Sequence, residues 1–442
     1  MKPMTNVYYN KLFALTNTIY RMVFHEEISS EVEKFIKNLS SVGIGTIIAS
    51  VFSFAYNILA GRWLGPSEYG IFTLVQSVAM FLYIPMLLGF HTAMVKYNAE
   101  KVDFTRQRSI ISTTYILVLL LTVASLLIYF AFSKRIVAIF SISNEVFYLA
   151  ILFAVLFVFY TLTTETLRSL HMVQAYSRLM PVHSATLFFA FLFFTLICKD
   201  LSFKSPLFSM LLAYGMIGGI ILSITRNYLK PQVNKNWIRE LSHYSIYSLL
   251  GGISYVLYSN IDKLMINYYL TISEVGIYRA YYYSFTTVLF LISTIFVTTF
   301  FPFASSRGDK NVLFNKVNKI SIAFIAISFP IALISGSIIL SVYGPDYYLD
   351  PTLTLLFALL AIVIPVNQFY DWLMCSVGIE GVKLVSYAAL STAIANIALN
   401  IALIPILGIN GAVISTIMSY VISTTILLSK RKLLKDSKDS AG

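Results

Sequence analysis

Three charged side chains lie inside otherwise apolar stretches of this chain: the adjacent Asp262 and Lys263, close behind Asn260, and Arg279. Within a bilayer an ionisable side chain costs roughly 2.5–3.5 kcal/mol on insertion scales, so it is kept where it meets polar cargo or a partner. Asn57 and Arg62 close a similar stretch near the start of the chain. Asn57, Arg62, Asn260, Asp262, Lys263 and Arg279 are therefore candidate lining of a substrate cavity. A second set, Glu165 with Arg168 and Asn367 with Asp371, marks the ends of two further stretches. Glu165 and Arg168 stand at i, i+3, the spacing of a structural ion pair on one helix face. All four are inner-gate candidates: Glu165 and Asp371, brought face to face, would with Arg168 form part of a gate sensitive to protonation. Interfacial anchoring is the competing account for Arg62, Arg279 and the Asp262–Lys263 pair, and plain helix-end charge the one for the carboxylates. The lone His91 and His183 read as structural. No phosphate-cradling Gly-rich loop, clustered His/Cys ligands or nucleophile with a base at motif spacing is visible, so neither a catalytic residue, a metal site nor a cofactor is expected.

These residues need a scaffold, and composition says which. Hydrophobic residues make up 58% of the 442 and charged residues 12%, with a mean hydropathy of +0.77. Soluble domains carry about 25% charged residues, so here the bilayer must be the solvent. At about 20 apolar residues per crossing, twelve spans emerge: 40–61, 70–90, 110–132, 146–166, 180–198, 206–225, 243–268, 277–301, 317–342, 352–373, 384–404 and 409–429. Cys198 and Cys375 fall in or beside such stretches and read as small buried hydrophobes rather than a disulfide.

The 32 Lys and Arg residues outnumber the 20 acidic ones, yet they sit in short clusters between spans. That pattern suits loops facing anionic lipid, not nucleic acid. Most of them fall on one side if both termini are cytoplasmic, which sets the expected orientation. Residues 1–38 lack the apolar core of a cleavable signal. Ser30 and Glu33 have capping-box spacing ahead of an apolar stripe through Val32, Phe35, Ile36 and Leu39, which suggests an in-plane helix leading into the first span.

A faint repeat divides the spans into two sets of six. Ser67-Glu68-Tyr69-Gly70-Ile71-Phe72 is echoed by Ser273-Glu274-Val275-Gly276-Ile277-Tyr278. The offset that takes Gly70 to Gly276 also takes Glu165 to Asp371, Asn57 to Lys263, and Ser209 and Tyr214 to Ser415 and Tyr420. Six spans per copy is an even number, so both copies insert the same way round. The expected fold is all-α, with about 12 transmembrane helices in two six-helix lobes related by a pseudo-two-fold axis along the membrane normal. The lobes would be 39–225 and 242–429, with 226–241 as cytoplasmic connector and 430–442 as a basic tail.

Four strings carry a family resemblance: Gly61-Arg62-Trp63-Leu64-Gly65-Pro66-Ser67-Glu68-Tyr69-Gly70; Asp262-Lys263 followed by Val275-Gly276-Ile277-Tyr278; Tyr343-Gly344-Pro345-Asp346-Tyr347; and Asn400 to Pro405 with Leu407-Gly408-Ile409-Asn410-Gly411-Ala412. In this order and these positions they resemble the polysaccharide-biosynthesis flippases of the multidrug/oligosaccharidyl-lipid/polysaccharide exporter superfamily, over residues 39–428. The resemblance implies two lobes around a cavity and alternating access. The implied cargo is a polyprenyl-diphosphate-linked glycan, turned from the inner to the outer leaflet of the cytoplasmic membrane. A coupling cation stays open, with Asp262, Glu165 and Asp371 as its carriers. A cation-coupled multidrug exporter of the sister family is the alternative, and a membrane-embedded glycan polymerase or acyltransferase the rival of another class. Short loops and the missing catalytic set count against the last.

Overall fold

Hydrocarbon supplies no water to backbone amides, so a spanning chain must satisfy them within its own helices or a closed barrel. The computed structural model describes residues 30–230, 232–306 and 310–431. The elements among these are all helical. Residues 1–29, with most of the expected N-terminal segment, and 432–442, with most of the basic tail, lie outside the described residues.

Helix α1, Ser30–Leu87, holds the first two expected spans. Only Gly65, at φ 71°, breaks its helical geometry. A side chain would be strained there, and Pro66 immediately restarts the helix at a position where its missing N–H is harmless. The sequence reading expects a loop between 61 and 70, whereas the break is a single residue wide. Helix α1 also begins at Ser30 and runs without interruption into the first span.

Beyond it lie α2, Phe90–Glu100, and α3, Phe104–Ala131, whose N-terminus is capped by Asp103 accepting from the Arg106 amide at 2.7 Å. Then come α4, Ser133–Phe140, and α5, Asn144–Ser169, capped by Ser143. Helix α6, Val173–Leu192, widens into a π-turn over Phe193–Ile197, and α7, Lys204–Thr225, follows. The second half comprises α8, Lys235–Tyr269; α9, Ile272–Ser306; α10, Lys310–Tyr343; α11, Pro351–Cys375; α12, Ile379–Leu407; and α13, Ile409–Ser429. The short helices α2 and α4 have no counterpart in the sequence reading.

Nine helices among the described residues are long and apolar enough to cross a membrane. The first of these is doubled by the break at Gly65, and α8 and α9 coincide with the expected seventh and eighth spans. The protein is thus an all-α multi-pass membrane protein. In the first lobe α1 packs against α3, α5 and α6, and α7 against α5 and α6; in the second, α8 packs on α12, α9 on α10 and α11, and α13 on α11 and α12. The lobes meet chiefly where α1 crosses α9, and again where α1 and α2 meet α8.

Apolar side chains face outward, as lipid permits: Leu119, Leu120, Val123 and Leu127 of α3 and Ile322, Ile327, Ile334 and Ile338 of α10 are exposed. Cys198, expected to be buried, is exposed at the end of the π-turn. Between α12 and α13 the chain reverses through Gly408, at φ 60° and ψ −138°. A Cβ on nearby Gly411 would run into the Leu403 carbonyl. Gly408→Ala should destabilise the protein by about 1–3 kcal/mol, the usual strain of such backbone for a non-glycine residue. Thermal unfolding in detergent measures this, and a melting temperature equal to wild type would contradict the turn.

Candidate functional site

Helices α1 and α9 touch backbone to backbone at one end of the molecule. A Cβ placed on Gly70 would run into the carbonyl of Ile272, and one on Gly276 into the carbonyl of Pro66. The two contacts are equivalent under the repeat: the offset that maps Gly70 to Gly276 maps Pro66 to Ile272. Each glycine meets the partner its counterpart supplies, the signature of a two-fold contact.

The quoted motifs converge on this crossing. The Tyr343 ring fills the space where Gly61 has no side chain. Tyr347 Oη donates to the Gly61 carbonyl at 2.9 Å, and Arg62 Nη1 to the Val342 carbonyl at 3.1 Å. Tyr281 Oη donates to the Tyr348 carbonyl at 2.7 Å and accepts from the Asp350 amide at 2.7 Å. The loop after α10 is thereby fastened both to the end of the first span and to α9.

One turn beyond Gly276, Arg279 reaches from α9 into both segments of α1. Its Nε donates to Tyr69 Oη at 3.1 Å, Nη2 to Asn57 Oδ1 at 3.2 Å, and Nη1 to Gln76 Oε1. The guanidinium also lies over the rings of Tyr69 and Phe72, 5.4 Å from each centroid. None of these partners carries a negative charge. A guanidinium has five N–H donors, and three are used here, which leaves two for another acceptor. Lys263 stands within electrostatic reach. Its Nζ donates to the Ser259 carbonyl at 2.6 Å and sits 6.0 Å from the Tyr282 ring.

Asp262, only 3% exposed, turns the other way, into the second lobe. Its carboxylate accepts from Tyr278 Oη at 2.7 Å, Asn400 Nδ2 at 2.6 Å and Thr416 Oγ1 at 2.8 Å. Asn400 Nδ2 also donates to Asn396 Oδ1 at 3.2 Å, while Asn400 Oδ1 is buried without a hydrogen-bond partner. Helices α8, α9, α12 and α13 thus share one buried oxygen-rich cluster.

The remaining sequence candidates lie apart from these two groups. Asn260 Nδ2 donates to the Val256 carbonyl of its own helix at 3.1 Å. Arg168 pairs with Glu165 at 2.7 Å within α5. Asn367 Nδ2 donates to the Ser423 and Thr424 hydroxyls at 3.1 Å each, tying α11 to α13. Asp371 sits near Tyr258 and Tyr420. No hydrogen bond or ion pair joins Glu165 to Asp371 among the described residues.

Away from the glycine crossing, Tyr83, Leu87, Gly89, His91 and Ser248 help line a cavity of about 190 Å³ between α1, α2 and α8. Elsewhere between the same two helices, Tyr97 of α2 donates to Glu240 of α8 at 3.3 Å. Burial and that carboxylate push the Tyr97 hydroxyl above the ordinary tyrosine range.

Sequence reading passed over Gln76, Tyr69, Asn396 and Thr416. Asn396 and Asn400 stand four residues apart on one face of α12, a polar pair inside an apolar span, and that signal was available.

Two helical lobes, crossing at repeat-related glycines with the Arg279 guanidinium between them, define a multi-pass membrane protein of the two-lobe type. The family model described as "Polysaccharide biosynthesis protein" matches residues 35–308, and the chain belongs to this family. A probable low-salt glycan biosynthesis flippase of Haloferax volcanii is 24% identical over 409 residues, covering 90% of this chain and 82% of that protein. An uncharacterized membrane protein of Methanocaldococcus jannaschii is 22% identical over 425 residues, 88% of this chain and 82% of its own length. Among solved structures, the lipid II flippase MurJ in an inward closed conformation superposes with a TM-score of 0.64 at 14% identity, covering 90% of this chain and 89% of its own. An inward-facing multidrug transporter of the MATE family gives 0.64 at 14% identity, with 90% and 99% covered. Those two structures share the fold.

Proposed function

We propose that the protein is a flippase that moves a polyprenyl-diphosphate-linked oligosaccharide from the inner to the outer leaflet of the cytoplasmic membrane by alternating access. The observation that carries this reading is Arg279: a guanidinium set between the lobes, without a carboxylate partner among the described residues, with two N–H groups to spare and Lys263 within electrostatic reach. Uncompensated positive charge suits an anionic diphosphate, which a guanidinium binds with paired N–H donors. It suits a cationic drug poorly, and so favours the flippase over the exporter that shares its fold. Family membership and the flippase name of the Haloferax relative support the same reading.

The physical need for such a protein is plain. Each sugar hydroxyl taken into hydrocarbon unpaired costs about 4–8 kcal/mol on a water-to-cyclohexane scale. A polar groove between lobes removes most of that barrier while the lipid tail stays in the bilayer. Charge contributes as well, since each negative charge leaving an inside-negative cell gains about 2.3 kcal/mol per 100 mV. The Lys and Arg clusters put both termini in the cytoplasm and the glycine crossing at the outer face. The lobes are 39–225 and 242–429, joined by 226–241.

A coupling cation, in this reading, sits at Asp262. Both carboxylate oxygens, Asn396 Oδ1 and Thr416 Oγ1 offer the oxygen ligands that hard cations take, with the Asn400 amide nitrogen among them. Half a turn of the Asn400 amide adds its unpartnered Oδ1 to the set.

Proteoliposomes holding fluorescent lipid-linked oligosaccharide test the assignment by leaflet exchange. Wild type should exchange the label, and Arg279→Gln should slow it about tenfold or more, the weight of one charge-assisted hydrogen bond. No exchange by wild type would overturn the flippase reading. Replacing Na+ by a bulky organic cation should alter the wild-type rate but not that of Asp262→Asn. Equal responses in both proteins would remove Asp262 as the cation site.

A further inference from the structure

All three Arg279 hydrogen bonds run from α9 in one lobe to α1 in the other. Parting the lobes at the glycine crossing must therefore break them together. Their acceptors are a phenol and two amide oxygens, each weaker for a guanidinium than a carboxylate or phosphate. A latch of this kind is strong enough to close an empty protein and weak enough for an anion to displace.

We infer that Arg279 is a cargo-released latch on the glycine crossing: the anionic diphosphate group of the cargo takes the guanidinium from Tyr69, Gln76 and Asn57, and the outer face then opens. The inference rests on the proposed function for the identity of the anion, though not for the latch. A ligand shifts a conformational equilibrium only by binding one state better than the other. Here the source of that difference is visible. In the closed state three of the five N–H donors are committed across the interface; once the lobes part all five are free, and the anion gains a better site. Lys263 adds positive charge within electrostatic reach of Arg279. What remains once the latch is released is a contact of glycine backbones and aromatic rings, joined by single hydrogen bonds to backbone carbonyls from Tyr283 to Ser53, Tyr347 to Gly61 and Arg62 to Val342, with no ion pair spanning α1 and α9 among the described residues.

The arrangement also explains why the acceptors are neutral. An aspartate or glutamate at position 57 or 76 would neutralise Arg279, repel the diphosphate and hold the lobes shut. Leucine at position 76 would do the reverse, freeing one N–H and relaxing the closed state. The consequence is unusual for a residue in a binding site: removing Gln76 should tighten binding of the anion, because less has to be displaced.

Spin labels on cysteines at Ser67 and Ser273, in full-length protein lacking Cys198 and Cys375 and held in nanodiscs, report the crossing by pulsed dipolar spectroscopy. The probes are farnesyl diphosphate, inorganic pyrophosphate and farnesol. Farnesyl diphosphate should shift the population towards longer distances. Pyrophosphate should do so at higher concentration if the anion alone suffices, and farnesol should do nothing. Gln76→Leu should open the apo protein part-way and lower the farnesyl diphosphate Kd by about tenfold, the equivalent of one charge-assisted hydrogen bond. Arg279→Gln should be open without ligand and blind to it, and Arg279→Lys should restore part of the closed population. Unchanged or shorter distances with farnesyl diphosphate would overturn the latch, because the anion would then be bridging the lobes rather than parting them. Weaker or equal binding by Gln76→Leu would overturn it as well, a readout that holds even if Arg279→Gln does not fold. Opening by the diphosphate in a protein that fails to exchange lipid-linked oligosaccharide would uphold the latch and reject the flippase reading.

Discussion

Two helices approach backbone to backbone where small residues leave room, and in this chain Gly70 and Gly276 do so against each other. In a membrane, where lipid is as apolar as leucine, close packing of small residues is a principal attraction between helices. The contact brings α1 and α9 near enough for side chains one turn away to cross from lobe to lobe. It also fixes the local symmetry, since each glycine packs on the carbonyl that the other repeat provides. Arg279, Tyr69 and Asn57 meet because of that approach, and so do Gly61 and the tyrosines of the loop after α10.

Around this crossing, opposite charges are kept apart. Arg279 and Lys263 carry the positive groups at the interface between lobes, while the neighbouring carboxylate, Asp262, is turned into the second lobe and satisfied by Tyr278, Asn400 and Thr416. Adjacent residues on one helix thus serve different surroundings, because successive side chains on a helix point about 100° apart. Tyr278 and Arg279 repeat the arrangement on α9, one facing Asp262 and the other facing α1. The polar cluster of the second lobe and the interface between lobes are therefore joined through two consecutive residues, which gives any change at Asp262 a short physical route to the crossing.

Much of this was legible in the residues. Span positions follow from apolar length, and the strings around Gly70 and Gly276 mark the crossing because they repeat. Asn57, Asp262, Lys263 and Arg279 were singled out by the cost of polarity in hydrocarbon. The partners were less legible. The repeat offset ties Asn57 to Lys263 as equivalent positions, but equivalence is not contact, and Asn57 binds Arg279 instead. Depth along a helix can be counted from the sequence; the face a side chain presents depends on how helices far apart in the chain pack. For that reason nothing in the sequence sets Gln76 or Thr416 apart from other polar residues. The loop expected between the first two spans shrank to Gly65 because a Gly-Pro pair can turn a helix as well as end it.

In the proposed flippase cycle, the crossing of α1 and α9 must part during transport. A short bis-maleimide linker between cysteines placed at Ser67 and Ser273 would hold it shut in proteoliposomes carrying labelled lipid-linked oligosaccharide. Leaflet exchange should stop once the linker is in place, while either single cysteine treated with the same reagent should continue to transport. Exchange at the wild-type rate by fully cross-linked protein would contradict the account.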